Sequence, residues 1–63
     1  MRNKQPTEQR PLLTVAEVAK HLQVSEREVR RYIEDEELKI VRLGRLVRIR
    51  WEDLEAFVTD RLE

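Results

Sequence analysis

Two helix start signals in quick succession constrain the fold of this chain more than any other feature. Thr14 with Glu17, and Ser25 with Glu28, each fit a capping box, in which a hydroxyl and a carboxylate satisfy free backbone donors reciprocally. Only residues 23–24 separate the end of the first apolar stripe from the second signal. The sequence therefore predicts two short helices joined by a tight turn, which is the helix-turn-helix motif.

Apolar residues recur at helical intervals after each start signal and place the two helices. The first stripe predicts a helix from about Val15 to Leu22, and the second predicts a helix from near Glu26 to about Asp35. In a helix-turn-helix the second helix enters the major groove of DNA, so its basic residues are candidate contacts. The stripes consist of Val15, Val18, Ala19, Leu22, Val29, Tyr32 and Ile33.

Beyond the second helix the apolar period changes from helical spacing to alternation. Gly44 and Arg45 stand between two apolar runs and form a two-residue hairpin signal, with Gly44 supplying a positive φ at the first central position. On the second strand, Val47 and Ile49 face one side and Arg48 the other. The segment therefore predicts a hairpin, or wing, with one face on the helices and the other toward solvent or DNA.

The last part of the chain predicts a third helix from about Glu52 to Asp60. Trp51, Leu54 and Val58 share one helical face, and acidic residues favour the positive end of the helix dipole. The aromatic residues expected in the core are Tyr32, Trp51 and Phe57. The predicted fold is mainly α with a small β-hairpin, a winged helix-turn-helix with a C-terminal helix, in which residues 1–11 form a flexible arm and residues 12–63 the domain.

The inventory of reactive residues argues against catalysis and metal binding. The 63-residue chain has no cysteine, a single histidine and a single glycine. A zinc site of ordinary ligand count, a glycine-rich phosphate cradle and a base-activated nucleophile are therefore not expected. No apolar run approaches the roughly 18 residues that span a bilayer. We expect no cofactor, no small-molecule substrate, no membrane association and a cytoplasmic location.

The charge is balanced in total but uneven along the chain. Lysine and arginine number 13, as do aspartate and glutamate, so the formal net charge is zero. Residues 39–50 contain basic residues and no acidic one, whereas Glu34–Glu37 is an unbroken acidic run and the segment after Trp51 is mostly acidic. The pattern predicts a molecule with one basic face and one acidic face.

Three segments of the chain, together with the predicted order of helix, turn, helix, hairpin and helix, carry a family resemblance. The segments LLTVAEVAKHL, VRLGR with VRI, and EDLEAF, within residues 12–58, resemble the excisionase-like winged helix-turn-helix proteins near the MerR family. The resemblance implies a bacterial or phage-encoded, nucleoid-associated protein that binds double-stranded DNA. Its implied role is that of an excisionase, a recombination directionality factor that loads cooperatively and bends DNA. A small transcriptional regulator of the same fold is the alternative.

The chain departs from this family at three positions. The family usually has glycine where this chain has Gln23 and Glu36, and a basic residue where it has Leu46. If those two backbones need a positive φ, each non-glycine residue costs about 1 kcal/mol. An exposed Leu46 beside the tip of the wing would weaken phosphate contact and serve a protein neighbour instead.

The candidate DNA contacts lie on the second helix and on the wing. Arg27 and Arg30 are the best candidates for base or phosphate contact, and the alternative is a solvated helix face paired with Glu34 or Asp35. Arg45 at the turn is best placed to enter the minor groove, and the alternative is that charges on a short edge strand only discourage aggregation. The predicted DNA-binding residues are Ser25, Arg27, Arg30, Arg31, Arg42, Arg45 and Arg48.

The uneven charge also suggests protein partners. The acidic run Glu34–Glu37, or the third helix, is expected to meet the basic wing of the next molecule and give head-to-tail loading on DNA. An integrase is a further candidate partner. The competing interpretation is a protein-interaction accessory module whose acidic surface binds a basic partner.

Overall fold

The computed structural model describes residues 11–61, and these form three helices and one hairpin. The order confirms the predicted mainly helical fold with a two-stranded wing. The second helix ends one residue before Asp35, which is its C-cap, and the third extends one residue beyond the predicted range at each end. The predicted arm, residues 1–11, lies outside the described residues except for Pro11. The elements are α1 (Val15–Leu22), α2 (Glu26–Glu34), β1 (Val41–Leu43), β2 (Leu46–Arg48) and α3 (Trp51–Arg61).

The two start signals both cap helices, but only the first forms a complete capping box. Thr14 Oγ1 accepts the backbone N–H of Glu17 at 3.0 Å, and Glu17 Oε1 accepts that of Thr14 at 2.9 Å. Ser25 Oγ accepts the N–H of Glu28 at 3.1 Å. Among the described residues no return bond from Glu28 closes the second box, because its carboxylate lies 3.8 Å from Arg31 instead. The predicted second box is therefore half right.

Three residues adopt the left-handed backbone conformation, each at a turn between elements. Gln23, the C-cap of α1, has φ 60° and ψ 44°, and its N–H donates to the carbonyls of the last helical turn. Glu36 has φ 61° and Gly44 has φ 63°. The backbone does have a positive φ at the two positions where the family usually has glycine. Gln23 and Glu36 therefore each carry about 1 kcal/mol of strain.

The core of the described domain lies where the three helices meet the segments that connect them. Tyr32 and Trp51 are half-buried against it, and the Tyr32 ring lies 4.9 Å from that of Phe57. Leu38 is 2% exposed although it belongs to no helix or strand, and no periodic pattern in the sequence marks it as a core residue. The buried apolar residues are Val18, Ala19, Val29, Leu38, Ile49, Leu54 and Phe57.

The hairpin is fastened to the helices through the segment that precedes α1. Leu13 and Ile49 exchange two backbone hydrogen bonds of 2.8 Å, so the chain after β2 pairs with the chain before α1. The turn of the hairpin consists of Gly44 and Arg45, and only the first of them has a positive φ, as in a type II′ turn. The predicted turn is confirmed. No helix within residues 11–61 has the length and apolar character needed to cross a bilayer.

Candidate nucleic-acid interface

The second helix presents its arginines to solvent because its apolar residues face the core. Val29 is fully buried, and Arg27, Arg30 and Arg31 are exposed. At the start of the helix, Ser25, Arg27 and Arg31 line a surface groove of about 220 Å³. In helix-turn-helix proteins the N-terminal residues of the second helix contact base edges, so this groove lies at the position for reading DNA.

Ion pairs within α2 distinguish its three arginines. Arg30 lies 3.5 Å from Glu26 and Arg31 lies 3.8 Å from Glu28, so both pair toward the start of the helix and not with Glu34 or Asp35. Arg27 forms no ion pair within the described part of the chain. Exposed pairs of this kind contribute at most about 1 kcal/mol, so a phosphate can replace the carboxylate at little cost.

The strand register separates two of the wing arginines onto opposite faces. Residues directly opposite each other in an antiparallel pair share a face, and Arg42 pairs with Val47 whereas Arg48 pairs with Val41. Arg48 is also half-buried and donates from Nη1 to the carbonyl of Val47 at 2.8 Å. The wing therefore does not place Arg42 and Arg48 on one basic face, and Arg48 is already engaged by the backbone.

A groove between α2 and the wing brings together three of the predicted residues. Arg30 from the helix and Arg42 and Arg45 from the wing line a groove of about 340 Å³, whose lining also includes the apolar Ile33 and Val47 and one acid, Glu34. Leu46 borders the same groove. The sequence carries no signal for this juxtaposition, because it depends on how the hairpin folds back toward α2. Ser25 and Arg27, which were also predicted to bind DNA, line the separate groove at the start of α2.

Some of the remaining basic side chains form ion pairs or hydrogen bonds, and others form neither. Arg50 forms a two-pronged contact with Asp53, 2.8 Å and 3.2 Å, and also lies 3.5 Å from Glu52. The hydrogen bond to Asp53 raises the pKa of Arg50, and the charges of Asp53 and Glu52 raise it further, so the guanidinium is held by acids of α3. Within residues 11–61, Arg42 and Arg45 form neither an ion pair nor a side-chain hydrogen bond. The unengaged positive charge therefore faces α2 from the wing.

Part of the acidic run is engaged as well. Glu37 forms an ion pair with Arg61, and the Arg61 guanidinium carbon lies 4.0 Å from the centre of the Phe57 ring and 5.5 Å from that of Tyr32. This contact fastens the end of α3 to the segment after α2. Within residues 11–61, Asp35 and Glu36 form no side-chain ion pair and remain exposed.

The model of a helix-turn-helix domain family matches residues 12–62. The chain belongs to this helix-turn-helix family. None of the curated proteins compared with the chain matches it. As a helix-turn-helix domain, the protein binds double-stranded DNA, and its family is typically not enzymatic. In this domain α1 and α2 are the two helices of the motif, and α2 holds the position of the helix that enters the major groove in helix-turn-helix proteins.

Proposed function

We propose that this helix-turn-helix domain is a sequence-selective architectural DNA-binding protein of the excisionase-like branch near the MerR family. Its function would be to direct recombination, without catalytic activity of its own. The observation that carries the proposal is the groove between α2 and the wing, where Arg30, Arg42 and Arg45 converge. Two of these arginines have no partner among the described residues, so the groove offers positive charge that a polyanion can neutralise.

The groove suggests how the duplex is held. With α2 in the major groove and the wing at the adjacent minor groove, one sugar-phosphate strand passes between them. Arg30, Arg42 and Arg45 then meet its phosphates, and the apolar side chains of the lining, Ile33 and Val47, meet its sugars. Arg27 lies near the start of α2 and forms no ion pair within residues 11–61, so it becomes the best candidate for reading a base.

The test compares DNA affinity and base preference among arginine variants. We expect Arg27→Ala to weaken binding by about 1 to 3 kcal/mol and to relax preference at one base pair, whereas Arg45→Ala weakens binding to all sequences alike. Arg50→Ala is the matched control, because its guanidinium is already held by Asp53 and Glu52. Fluorescence anisotropy on duplexes selected from a random pool measures both effects. Equal affinity of all three variants and the wild type would refute the proposal.

The acidic surface supports the proposal that copies load head to tail and cooperatively on DNA. Asp35 and Glu36 are exposed and unpaired within residues 11–61, so they are available to the basic wing of a second copy on adjacent DNA. Reversing both to lysine should reduce cooperativity in a footprint titration while affinity for a single site is kept or increased. Glu37 is left unchanged because it pairs with Arg61 and its loss would perturb the fold. Unchanged cooperativity would exclude this surface.

The same groove serves a small transcriptional regulator equally well, since both roles begin with sequence-selective binding. The two are distinguished by whether the protein stimulates excision by an integrase or alters transcription from a promoter. If the protein is instead an accessory module that binds a basic protein through its acidic residues, partner binding should survive removal of Arg42 and Arg45. Pull-down of that partner with the double alanine variant separates it from the DNA-binding roles.

A further inference from the structure

Two of the three large apolar side chains that are exposed in the described domain lie at the tip of the wing. Leu43 is 48% exposed and Leu46 is 51% exposed, and the third, Leu12, lies in the segment before α1. A domain with so small a core gains from burying apolar side chains, so two leucines at the outer end of a hairpin need an explanation.

The strand register makes the two leucines one surface. Leu43 pairs directly with Leu46 across the Gly44-Arg45 turn, so their side chains lie on the same face with Cβ atoms about 5 Å apart. Arg42 and Val47 occupy the other face, toward α2, and Leu46 also borders the groove between α2 and the wing. The leucine tip, defined as Leu43 and Leu46, is therefore a small apolar end on the hairpin.

The charges around the leucine tip indicate the chemistry of its partner. Residues 39–50 contain five basic residues and no acidic one, but Arg48 donates to the backbone and Arg50 is held by acids of α3. The charge available beside the tip therefore comes from Arg42 and Arg45. Arg45 stands at the turn itself, next to Leu46, and has no ion pair within residues 11–61. A suitable partner has negative charge on its outside and an apolar interior. Double-stranded DNA fits, because its phosphates can bind the arginines and its stacked base pairs can contact the leucines.

We propose that the leucine tip enters the minor groove and inserts between two base pairs as an apolar wedge that kinks the duplex. The proposal rests on the proposed DNA binding and adds a mechanism for the bend. Leucine is among the side chains that unstack base steps in this way, and such wedges kink DNA toward the major groove. Arg45 would hold the phosphates on either side of the opened step.

The dimensions favour a wedge over a simple fit. The two strands of a hairpin are about 4.8 Å apart before side chains are added, and the minor groove of B-DNA is about 6 Å wide. Once its leucine side chains are added, the tip is wider than this groove. It can enter only where the groove opens, and partial unstacking of the base pairs opens it. Pyrimidine–purine steps such as TA and CA unstack most easily, so the bound site should place one of them under the wing.

The experiment measures bending and base unstacking with a duplex selected from a random pool by the wild-type chain. Circular permutation gives the bend, and 2-aminopurine at the pyrimidine–purine step reports unstacking as a rise in fluorescence. We expect the wild type to bend the duplex and to raise the fluorescence. Leu43→Ala with Leu46→Ala should lose the fluorescence rise and reduce the bend by roughly 20° or more. Leu12→Ala, the matched exposed leucine, should behave as wild type.

A second variant tests whether an apolar side chain is what matters. Replacing both tip leucines by methionine, which also serves as a wedge, should restore the bend and the fluorescence. If the alanine variant keeps both signals, the wedge is refuted. If it keeps both but loses cooperativity, the tip contacts a second copy, and the wedge is refuted as well. A wild type that binds no duplex at all would refute the proposed function itself.

Discussion

At the scale of single residues, the turns show how far sequence reasoning reaches. A hairpin glycine at residue 44 is recognisable because a two-residue turn needs a positive φ, and the structure has it there. Gln23 and Glu36 adopt the same conformation without the residue suited to it, and only the family resemblance marked them. Neither side chain indicates its own backbone strain, because glutamine and glutamate are common in helices and turns alike.

The strain at Gln23 predicts a stabilising substitution. Gln23→Gly should raise the free energy of unfolding by about 1 kcal/mol, because the side chain is exposed and glycine removes the left-handed penalty. Gln23→Ala keeps a Cβ and should give no such gain. Urea titration followed by circular dichroism measures both variants. A glycine variant no more stable than the alanine variant would show that the turn is unstrained.

At the scale of elements, the helices and the hairpin were predictable because their signals are local. Caps, apolar spacing and turn residues act within a few positions of each other, and they placed the helix ends to within one residue. The closure of the second capping box was not predictable. Glu28 has the required spacing from Ser25, but Arg31, one turn later, attracts the same carboxylate. Sequence spacing alone does not decide between two partners of one side chain.

The unequal capping boxes predict unequal effects of the same substitution. Glu17→Ala removes the hydrogen bond from the Thr14 backbone, whereas Glu28→Ala removes only a 3.8 Å ion pair with Arg31. Both acids lie in a first helical turn, so their interaction with the helix dipole largely cancels in the comparison. We expect Glu17→Ala to destabilise the domain by about 0.5 kcal/mol more than Glu28→Ala. Thermal unfolding of the two variants side by side measures the difference, and equal losses would contradict it.

At the scale of the whole molecule, the sequence did not show which distant parts meet. Leu38 follows the acidic run and belongs to no regular stripe, yet it is buried because the chain turns back there between α2 and β1. The meeting of Arg30 with Arg42 and Arg45 depends on the same return of the chain. Both features arise from tertiary packing, and periodicity within one element carries no signal for them.

Leu38 provides a stability test with a matched control. Leu38→Ala should destabilise the domain by 2 to 5 kcal/mol, as expected for a buried leucine, and a domain of this size has little more than that to lose. Leu46→Ala makes the same chemical change at an exposed position and should alter stability by no more than about 0.5 kcal/mol. Denaturant titration distinguishes them. Similar losses in the two variants would mean that Leu38 does not lie in the core.

The distribution of charge over the molecule governs how binding should respond to salt. The net charge is zero, but the groove between α2 and the wing is lined by three arginines and one acid, Glu34, and is therefore locally positive. If about six arginine or lysine side chains meet phosphate, log affinity should fall with log salt with a slope near −5, from roughly 0.9 per phosphate. Arg45→Gln should make the slope shallower by about 0.9, and Arg50→Gln should leave it unchanged. A slope near zero would mean that the balanced net charge, and not this local groove, determines the interaction with DNA.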